Sequence, residues 1–376
     1  MEIGIDASRA AKAQRTGTEG YAYHLIQALA PLAAERGVRL RLYFNNSPPP
    51  GAMPDGKHIR VSLLPFPRLW THLRLAHALH RRPPDVFFTP AHVIPLTYRA
   101  PAVATVHDLG YHFFPKAHTR AQRAYLRWST RHNVQRAQRI IADSEATRAD
   151  LVSLYGIAPE KIRVIYPGVD PDLAPVRDEE YLQAVRARYG IDAPYLLYLG
   201  TLQPRKNLRR LLRAYLESGV DYHLVLAGSV GWRAQPLLDE VAALPAHDAK
   251  RVHLPGFIAE EDKAALLSGA HALLFPSLYE GFGFPVLEAQ QCQTPVLCAK
   301  NSSLPEVAGA GALLVEAEDT AALAAAIRRM ALDDALREQL VEAGAANVAR
   351  FSWPETARQV LDLLEAVAAG EGRAGR

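Results

Sequence analysis

Cysteine is nearly absent from this chain: two in 376 residues, Cys292 and Cys298. They close no disulfide framework and match no metal-ligand spacing, so they are expected to be small buried apolar residues in a reducing compartment. Long apolar runs are missing as well. None approaches the roughly 20 residues needed to span a bilayer. The opening MEIGIDASRA lacks the basic and apolar stretches of a secretory signal, so the chain is expected to be cytoplasmic, with any membrane contact peripheral and on the inner face. Acidic residues are missing from one whole segment. From Leu109 to Ala142 there is no Asp or Glu, while Lys116, Arg120, Arg123, Arg127, Arg131, Arg136 and Arg139 occur.

That gap belongs to a wider asymmetry. Residues 1–190 carry 26 Lys or Arg against 16 Asp or Glu, and residues 191–376 carry 17 against 23, within an overall net charge of +4. One half therefore suits an anionic partner, although no basic tail of the nucleic-acid-binding kind is present. The basic helical pattern around Arg123, Arg127 and Arg131 reads first as a solvated face. The functional reading is attraction to an anionic lipid surface or a phosphorylated acceptor. PRLWTHLRLAHALHRR (67–82) is similar, with Trp70 as an interfacial anchor under the second reading.

The remaining composition is that of a globular protein, 49% hydrophobic and 22% charged, and the length suits two domains. Short aliphatic runs alternate with helical patterns. Strands are expected at Glu2–Asp6, Val38–Phe44, His58–Leu64, Asp85–Thr89, Ala102–His107, Arg139–Asp143 and Ile162–Tyr166. A second set follows at Tyr195–Gly200, Tyr222–Ala227, Arg251–Leu254, Ala272–Pro276, Pro295–Ala299 and Ala312–Val315. Runs such as YLLYLG and HALLFP are apolar throughout, as parallel strands covered on both faces must be. The pattern predicts an α/β protein with two doubly wound, Rossmann-like sheets in succession. YPGVDPDLAP (166–175) holds three prolines that neither a helix nor a central strand accepts, and marks the linker. An amphipathic helix from Pro354 to about Val367 and a polar, fraying tail close the chain.

In such folds ligands bind outside the carboxyl ends of the strands, and two facing sheets would make an interdomain cleft. Four segments stand there. Gly17 and Gly20, with Thr18 between them, lie between the first strand and a helix, where backbone N–H groups and the helix dipole favour a phosphate, or where a glycine merely makes a tight turn. GTLQPRKN (200–207) puts Arg205 and Lys206 at a helix start, against the dipole, which makes sense if an anion such as a diphosphate is bound; Asn207 is placed to cap the helix. In HALLFPSLYEGFGFPVLEA (271–289), Gly281 and Gly283 bare the loop amides and Pro285 suits a first helical turn. Glu280 and Glu288 can then accept bonds from the vicinal hydroxyls of a polyhydroxylated ligand. Paired carboxylates also serve glycoside hydrolysis, but an Arg-Lys pair with glycine turns is phosphate-handling equipment. His107, after AVATV, is a cleft candidate or an ordinary structural histidine.

Taken in order, VHDL (106–109), IADSEATRADL (141–151), IRVIYPGVD (162–170), GTLQPRKN, EGFGFPVLEA and NSSLPEVAG (301–309) resemble the retaining nucleotide-sugar glycosyltransferases of family GT4, with the GT-B fold. The wording is similar to bacterial mannosyltransferase-like enzymes of surface-polysaccharide assembly. The resemblance implies an acceptor-binding N-terminal domain (1–170) completed by the final helix (about 354–370), and a donor-binding C-terminal domain (171–350). It implies that Glu288 holds the ribose, that Glu280 with the backbone of Gly281, Phe282, Gly283, Phe284 and Pro285 holds the donor sugar, and that Phe257 and Ile258 flank the base. It also implies that Arg205 and Lys206, helped by amides near Gly17, neutralise the diphosphate, and that His107 sits by the transferred sugar. Thr201 departs from the pattern, since many relatives carry Arg there. The implied reaction is metal-independent transfer with no cofactor, from GDP-mannose or a UDP-sugar to a glycan or lipid-linked acceptor. Alternatives are a nucleotide-sugar epimerase or hydrolase, or a non-catalytic nucleotide-sugar-binding subunit.

Overall fold

The computed structural model describes residues 1–12, 15, 17–91, 93–115 and 119–370; Lys116 and the end of the polar tail lie outside them. Contacts divide the chain into two units. The first comprises Met1–Phe113, His118–Gly168 and Phe351–Arg376, and the second is built on Val169–Arg350.

In the first unit the strands are β1 (Glu2–Asp6), β2 (Arg39–Phe44), β3 (Ile59–Leu63), β4 (Val86–Thr89), β5 (Ala102–Val106), β6 (Arg139–Ala142) and β7 (Ile162–Val164). They form one sheet in the order β3-β2-β1-β4-β5-β6-β7, parallel at every pair. The central strands are apolar on both faces because helices cover both: Ile3, Ile5, Phe87, Phe88, Val103 and Ala104 are fully buried. β3 closes an edge, and its Val61 and Leu63 are exposed.

The final helix, Trp353–Ala368, starts at Ser352, whose side chain accepts from Glu355 N. It belongs to this unit and lies along the helix Gly17–Glu35, where Arg36 Nη1 bonds Asp362 (2.6 Å) and Glu365 (2.8 Å). Trp353 packs edge-on to Tyr21 and stacks on His24. Gly168 is where the chain passes the start of this helix. A Cβ there would lie 2.3 Å from Trp353 N, so only glycine allows the approach.

One expectation is corrected here. Trp70 is no interfacial anchor: it is buried, and its Nε1 donates to Leu64 O at 2.7 Å, because a buried indole N–H needs an acceptor. Its neighbours Leu69 and Leu73 take the solvent instead, 67% and 52% exposed. Arg136 also leaves the basic face, donating to Tyr98 O and Ala100 O.

The second unit repeats the pattern with β8 (Tyr195–Leu199), β9 (His223–Ala227), β10 (Val252–Gly256), β11 (Ala272–Phe275), β12 (Val296–Ala299) and β13 (Ala312–Val315). The order is β10-β9-β8-β11-β12-β13, again parallel throughout. Tyr195–Tyr198 and Leu273–Phe275 are fully buried, and so is Cys298; Cys292 is nearly so. Burial pushes both thiols up to about 12, so they are inert fillers.

Candidate active site

In the second unit the strand order reverses between β8 and β11, neighbours with Ala272 opposite Leu196. The connections leaving two such strands diverge to opposite faces of the sheet and open a crevice at their carboxyl ends. GTLQPRKN follows β8, and the Ser277–Gly283 loop follows β11, so the topology itself brings the two segments together.

The local structure then fixes the side chains. Pro204–Lys206 forms one tight helical turn, and Asn207 adopts a left-handed backbone (φ 62°) before the helix Leu208–Ser218. Asn207 does not cap that helix with its side chain, contrary to expectation. Its Nδ2 reaches across to Pro276 O (3.2 Å) and Ala317 O (2.7 Å), locking the turn to the end of β11, where buried carbonyls need donors. Leu278 N donates to Arg205 O at 2.8 Å, which joins the two segments by their backbones.

At this seam Lys206 Nζ donates to Glu280 Oε1 (2.5 Å) and Arg205 Nη1 to Glu280 Oε2 (3.0 Å). Arg205 Nη1 also bonds Tyr279 O, and Lys206 Nζ stands 5.0 Å from the Phe275 ring centroid. Glu280 and Lys206 are buried. Burial alone would raise the Glu280 carboxyl, but the charges of Arg205 and Lys206 outweigh it and hold the group at about 2. The carboxylate is therefore ionised at any physiological pH. With two cations on one anion, the cluster carries a net charge of +1, a standing attraction for an anion.

The loop around Glu280 is clamped by a segment whose role the sequence did not disclose. Ser302 Oγ accepts from Glu280 N (2.9 Å), Ser303 Oγ donates to Glu280 O and Phe282 O, and Asn301 Nδ2 donates to Ser277 O. Gly283 (φ 115°) starts the helix Phe284–Gln291, with Pro285 in its first turn. A Cβ on Gly283 would sit 2.7 Å from Leu304 Cδ2. Phe282 packs edge-on against Phe284.

Glu288 lies on that same helix and accepts from Lys263 Nζ at 3.1 Å; Lys263 comes from the helix Glu260–Ser268. Burial would lower Lys263, but Glu288 and Glu260 raise it well above its ordinary value, so it stays charged. Nothing in the spacing of EEDKAALLS announces this pairing, which joins residues 25 apart. Phe257 and Ile258 follow β10. Phe257 is 52% exposed, whereas Ile258 belongs to the hydrophobic core of the unit.

The first unit holds His107 just beyond β5. Its Nδ1 faces Asp143 Oδ2 (2.6 Å) and its Nε2 faces Pro90 O (2.7 Å). The Tyr21 ring meets it edge-on at 4.8 Å. Both partners offer oxygen acceptors to the ring nitrogens, an arrangement that favours the protonated ring. Burial would lower its pKa, and the Asp143 charge more than offsets that, giving a net rise. Gly17 and Thr18 begin the helix Gly17–Glu35. Its first turn also holds the buried Glu19, paired with Arg9 (3.0 Å) and Lys12 (2.9 Å).

Two successive parallel sheets, each with strand order reversed at its centre, and a buried cationic cluster at one reversal define a GT-B glycosyltransferase. Residues 15–173 match Glycosyltransferase Family 4 and residues 184–347 match Glycosyl transferases group 1. The chain belongs to the GT4 family of glycosyltransferases. It is 31% identical to the O-antigen chain mannosyltransferase B of Escherichia coli over 69% of each chain. It is 28% identical to the serotype-specific mannosyltransferase WbdA of the same organism, over 61% of this chain but only 29% of that one. It is also 36% identical to the D-inositol 3-phosphate glycosyltransferase of Kineococcus radiotolerans over 61% of this chain and 57% of that one. Apart from the first of these, the matched stretch spans less than two thirds of the relative. In fold the chain is similar to the sucrose-phosphate synthase of Thermosynechococcus elongatus, with a TM-score of 0.77 at 23% identity over 98% and 100% of the two chains. It is also similar to Anabaena HepE in complex with UDP and glucose, with a TM-score of 0.74 at 20% identity over 97% and 100%.

Proposed function

We propose that this glycosyltransferase moves mannose, with retention of anomeric configuration, from GDP-mannose to a glycan or lipid-linked acceptor in cell-surface polysaccharide synthesis. The observation that carries the proposal is the Arg205–Lys206–Glu280 cluster, with Lys206 and Glu280 buried and Arg205 partly so, cationic overall and placed at a strand-order reversal. The mannosyltransferase names of two relatives favour the sugar; a UDP-sugar is the alternative donor.

In this reading the two cations sit on the diphosphate. As the bond between the anomeric carbon and the phosphate oxygen breaks, the electron pair passes to that oxygen, and fixed cations stabilise the charge where it develops. The acceptor hydroxyl attacks on the same face and gives its proton to the departing phosphate, so no protein base is needed. Glu280, ionised down to about pH 2, is unsuited to be the acid of a glycosidase pair, whose acid needs a raised pKa. Its carboxylate orients Arg205 and Lys206 and accepts from sugar hydroxyls. Glu288, oriented by Lys263, accepts from the ribose hydroxyls. His107, whose two ring nitrogens are held by Asp143 and Pro90, lies beside the sugar and acts through its ring and charge, not through a free N–H, and Gly17 and Thr18 offer backbone amides. Because the charge is supplied by side chains, the transfer runs without a metal.

The test is one incubation of GDP-mannose with a crude lipid acceptor, the product anomer being read by NMR, with and without EDTA. The expected outcome is an α product at an unchanged rate in EDTA. A β product, EDTA inhibition reversed by manganese, or turnover that ignores the acceptor each overturns part of the reading. Acceptor-independent turnover would favour an epimerase or hydrolase.

The same chain is proposed to work on an anionic membrane, at its cytoplasmic face. No helix among the described residues is long and apolar enough to cross one. Instead, Leu69 and Leu73 are exposed, as are Tyr125 and Trp128 of the helix Arg120–Arg136, and the His72 ring meets the Trp128 ring edge-on, joining the two segments. Arg68, Arg74, Arg120 and Arg127 are exposed in the same two segments, which contain no acid. Apolar and aromatic insertion with basic flanks is the chemistry of interfacial binding. Phosphatidylglycerol vesicles should sediment the protein and phosphatidylcholine vesicles should not; Leu69→Asp/Leu73→Asp should abolish the difference. Equal binding to both lipids would refute it.

A further inference from the structure

The second unit carries another cluster, at the opposite end of its sheet from the donor site. Asp192 lies three residues ahead of β8, His223 opens β9, and His253 is the second residue of β10. These are three neighbouring strands at their amino ends. His223 Nδ1 and His253 Nε2 are 2.8 Å apart, and Asp192 Oδ1 is 3.4 Å from the same His223 nitrogen. One ligand atom from each of the three residues lies within 4.8 Å of the others. We propose that Asp192, His223 and His253 form a binding site for a divalent late transition-metal ion, zinc above all.

Three features carry this. First, the spacing fits. Zinc binds imidazole nitrogen at about 2.0–2.1 Å and carboxylate oxygen at about 2.0–2.2 Å, so tetrahedral ligand atoms stand about 3.3–3.5 Å apart. The nitrogen–oxygen edge already has that length, and the nitrogen–nitrogen edge needs to open by about half an ångström. Second, the ligands are pre-oriented. The His253 ring also bonds the backbone of Gly190, the outer-sphere contact that fixes tautomer and orientation in metal-bound histidines. The two rings are stacked, with centroids 4.9 Å apart. Third, the protons balance. With the Nδ1–H of His253 given to Gly190, its Nε2 bears a lone pair, so His223 Nδ1–H is the donor between the rings. The ion takes the place of that single proton, which moves to His223 Nε2 as the ring changes tautomer. Two imidazoles and one carboxylate suit zinc better than magnesium or calcium. The fourth position falls to water, because Asp192 is 83% exposed.

The site is separate from the sugar chemistry. It would pin the amino ends of three strands, so its effect is on stability. The test uses the full-length protein, stripped with a chelator and dialysed against zinc chloride, with zinc per chain measured by plasma mass spectrometry and with cobalt(II) as a visible-absorbance probe. One zinc per chain is expected, together with a cobalt band and a rise in Tm. His223→Gln/His253→Gln should lose the zinc, the cobalt band and the Tm response. If that double variant fails to fold by far-UV circular dichroism, Asp192→Asn on its exposed residue should still weaken zinc binding roughly 10–100-fold. No zinc taken up at micromolar concentration, or undiminished uptake in these variants, overturns the proposal and leaves an ordinary hydrogen-bonded histidine pair. The readout involves no nucleotide sugar, so it stands or falls apart from the donor assignment.

Discussion

His107 illustrates how a single residue's charge follows from its partners. Both ring nitrogens face acceptors, at 2.6 and 2.7 Å, so protonation adds a bond instead of breaking one. A histidine ordinarily titrates near 6.5; here Asp143 pushes the pKa above that despite burial. The sign follows. The contribution to stability is fully present below about pH 6.5 and is lost as pH rises through the elevated value. The His107 ring resonances should therefore titrate above 6.5, turnover should fall over the same pH range, and His107→Asn should remove that alkaline limb. A titration at or below 6.5 would refute the raised pKa. The sequence marks His107 by its place at a strand end. It gives no sign of Asp143, 36 residues on, because that pairing is made by the sheet, where β5 and β6 are neighbours. Asn207 and Trp70 show the converse. Each has a plausible local role, as a cap or a membrane anchor, and each is taken by a long-range partner that local pattern does not reveal.

At the scale of elements, the thirteen strands expected from aliphatic runs are those observed, with ends within two residues. They are legible because parallel strands buried on both faces must be apolar throughout. What stands between them is less so. The clamp by Asn301, Ser302 and Ser303 on the Glu280 loop uses ordinary polar residues, and no spacing rule separates them from surface loop. The tie between the Gly168 turn and the final helix is likewise invisible in a lone glycine. It yields a prediction at this scale: Gly168→Ala places a methyl 2.3 Å from Trp353 N and must displace the helix start. Overpacking of this kind costs about 1–3 kcal/mol. A lowered Tm with protease sensitivity near Phe351 is expected, and an unchanged Tm would show that the helix start yields freely.

For the whole molecule, two parallel sheets in succession were readable from strand–helix alternation. Strand order was not, since alternation alone does not say where a sheet reverses, and it is the reversal between β8 and β11 that gathers Arg205, Lys206 and Glu280 into one seam. Sugar transfer at this seam requires a pyrophosphate site with its excess positive charge intact. The most direct measurement is steady-state turnover of Lys206→Met at saturating donor, alongside donor affinity by calorimetry. Methionine keeps the buried stem and removes only the charge. Since a fixed group stabilising a developing anion is worth roughly 100–1000-fold in rate, a fall of at least about 100-fold in kcat is predicted. A kcat within a factor of two of the unaltered enzyme, with donor affinity unchanged, would contradict it.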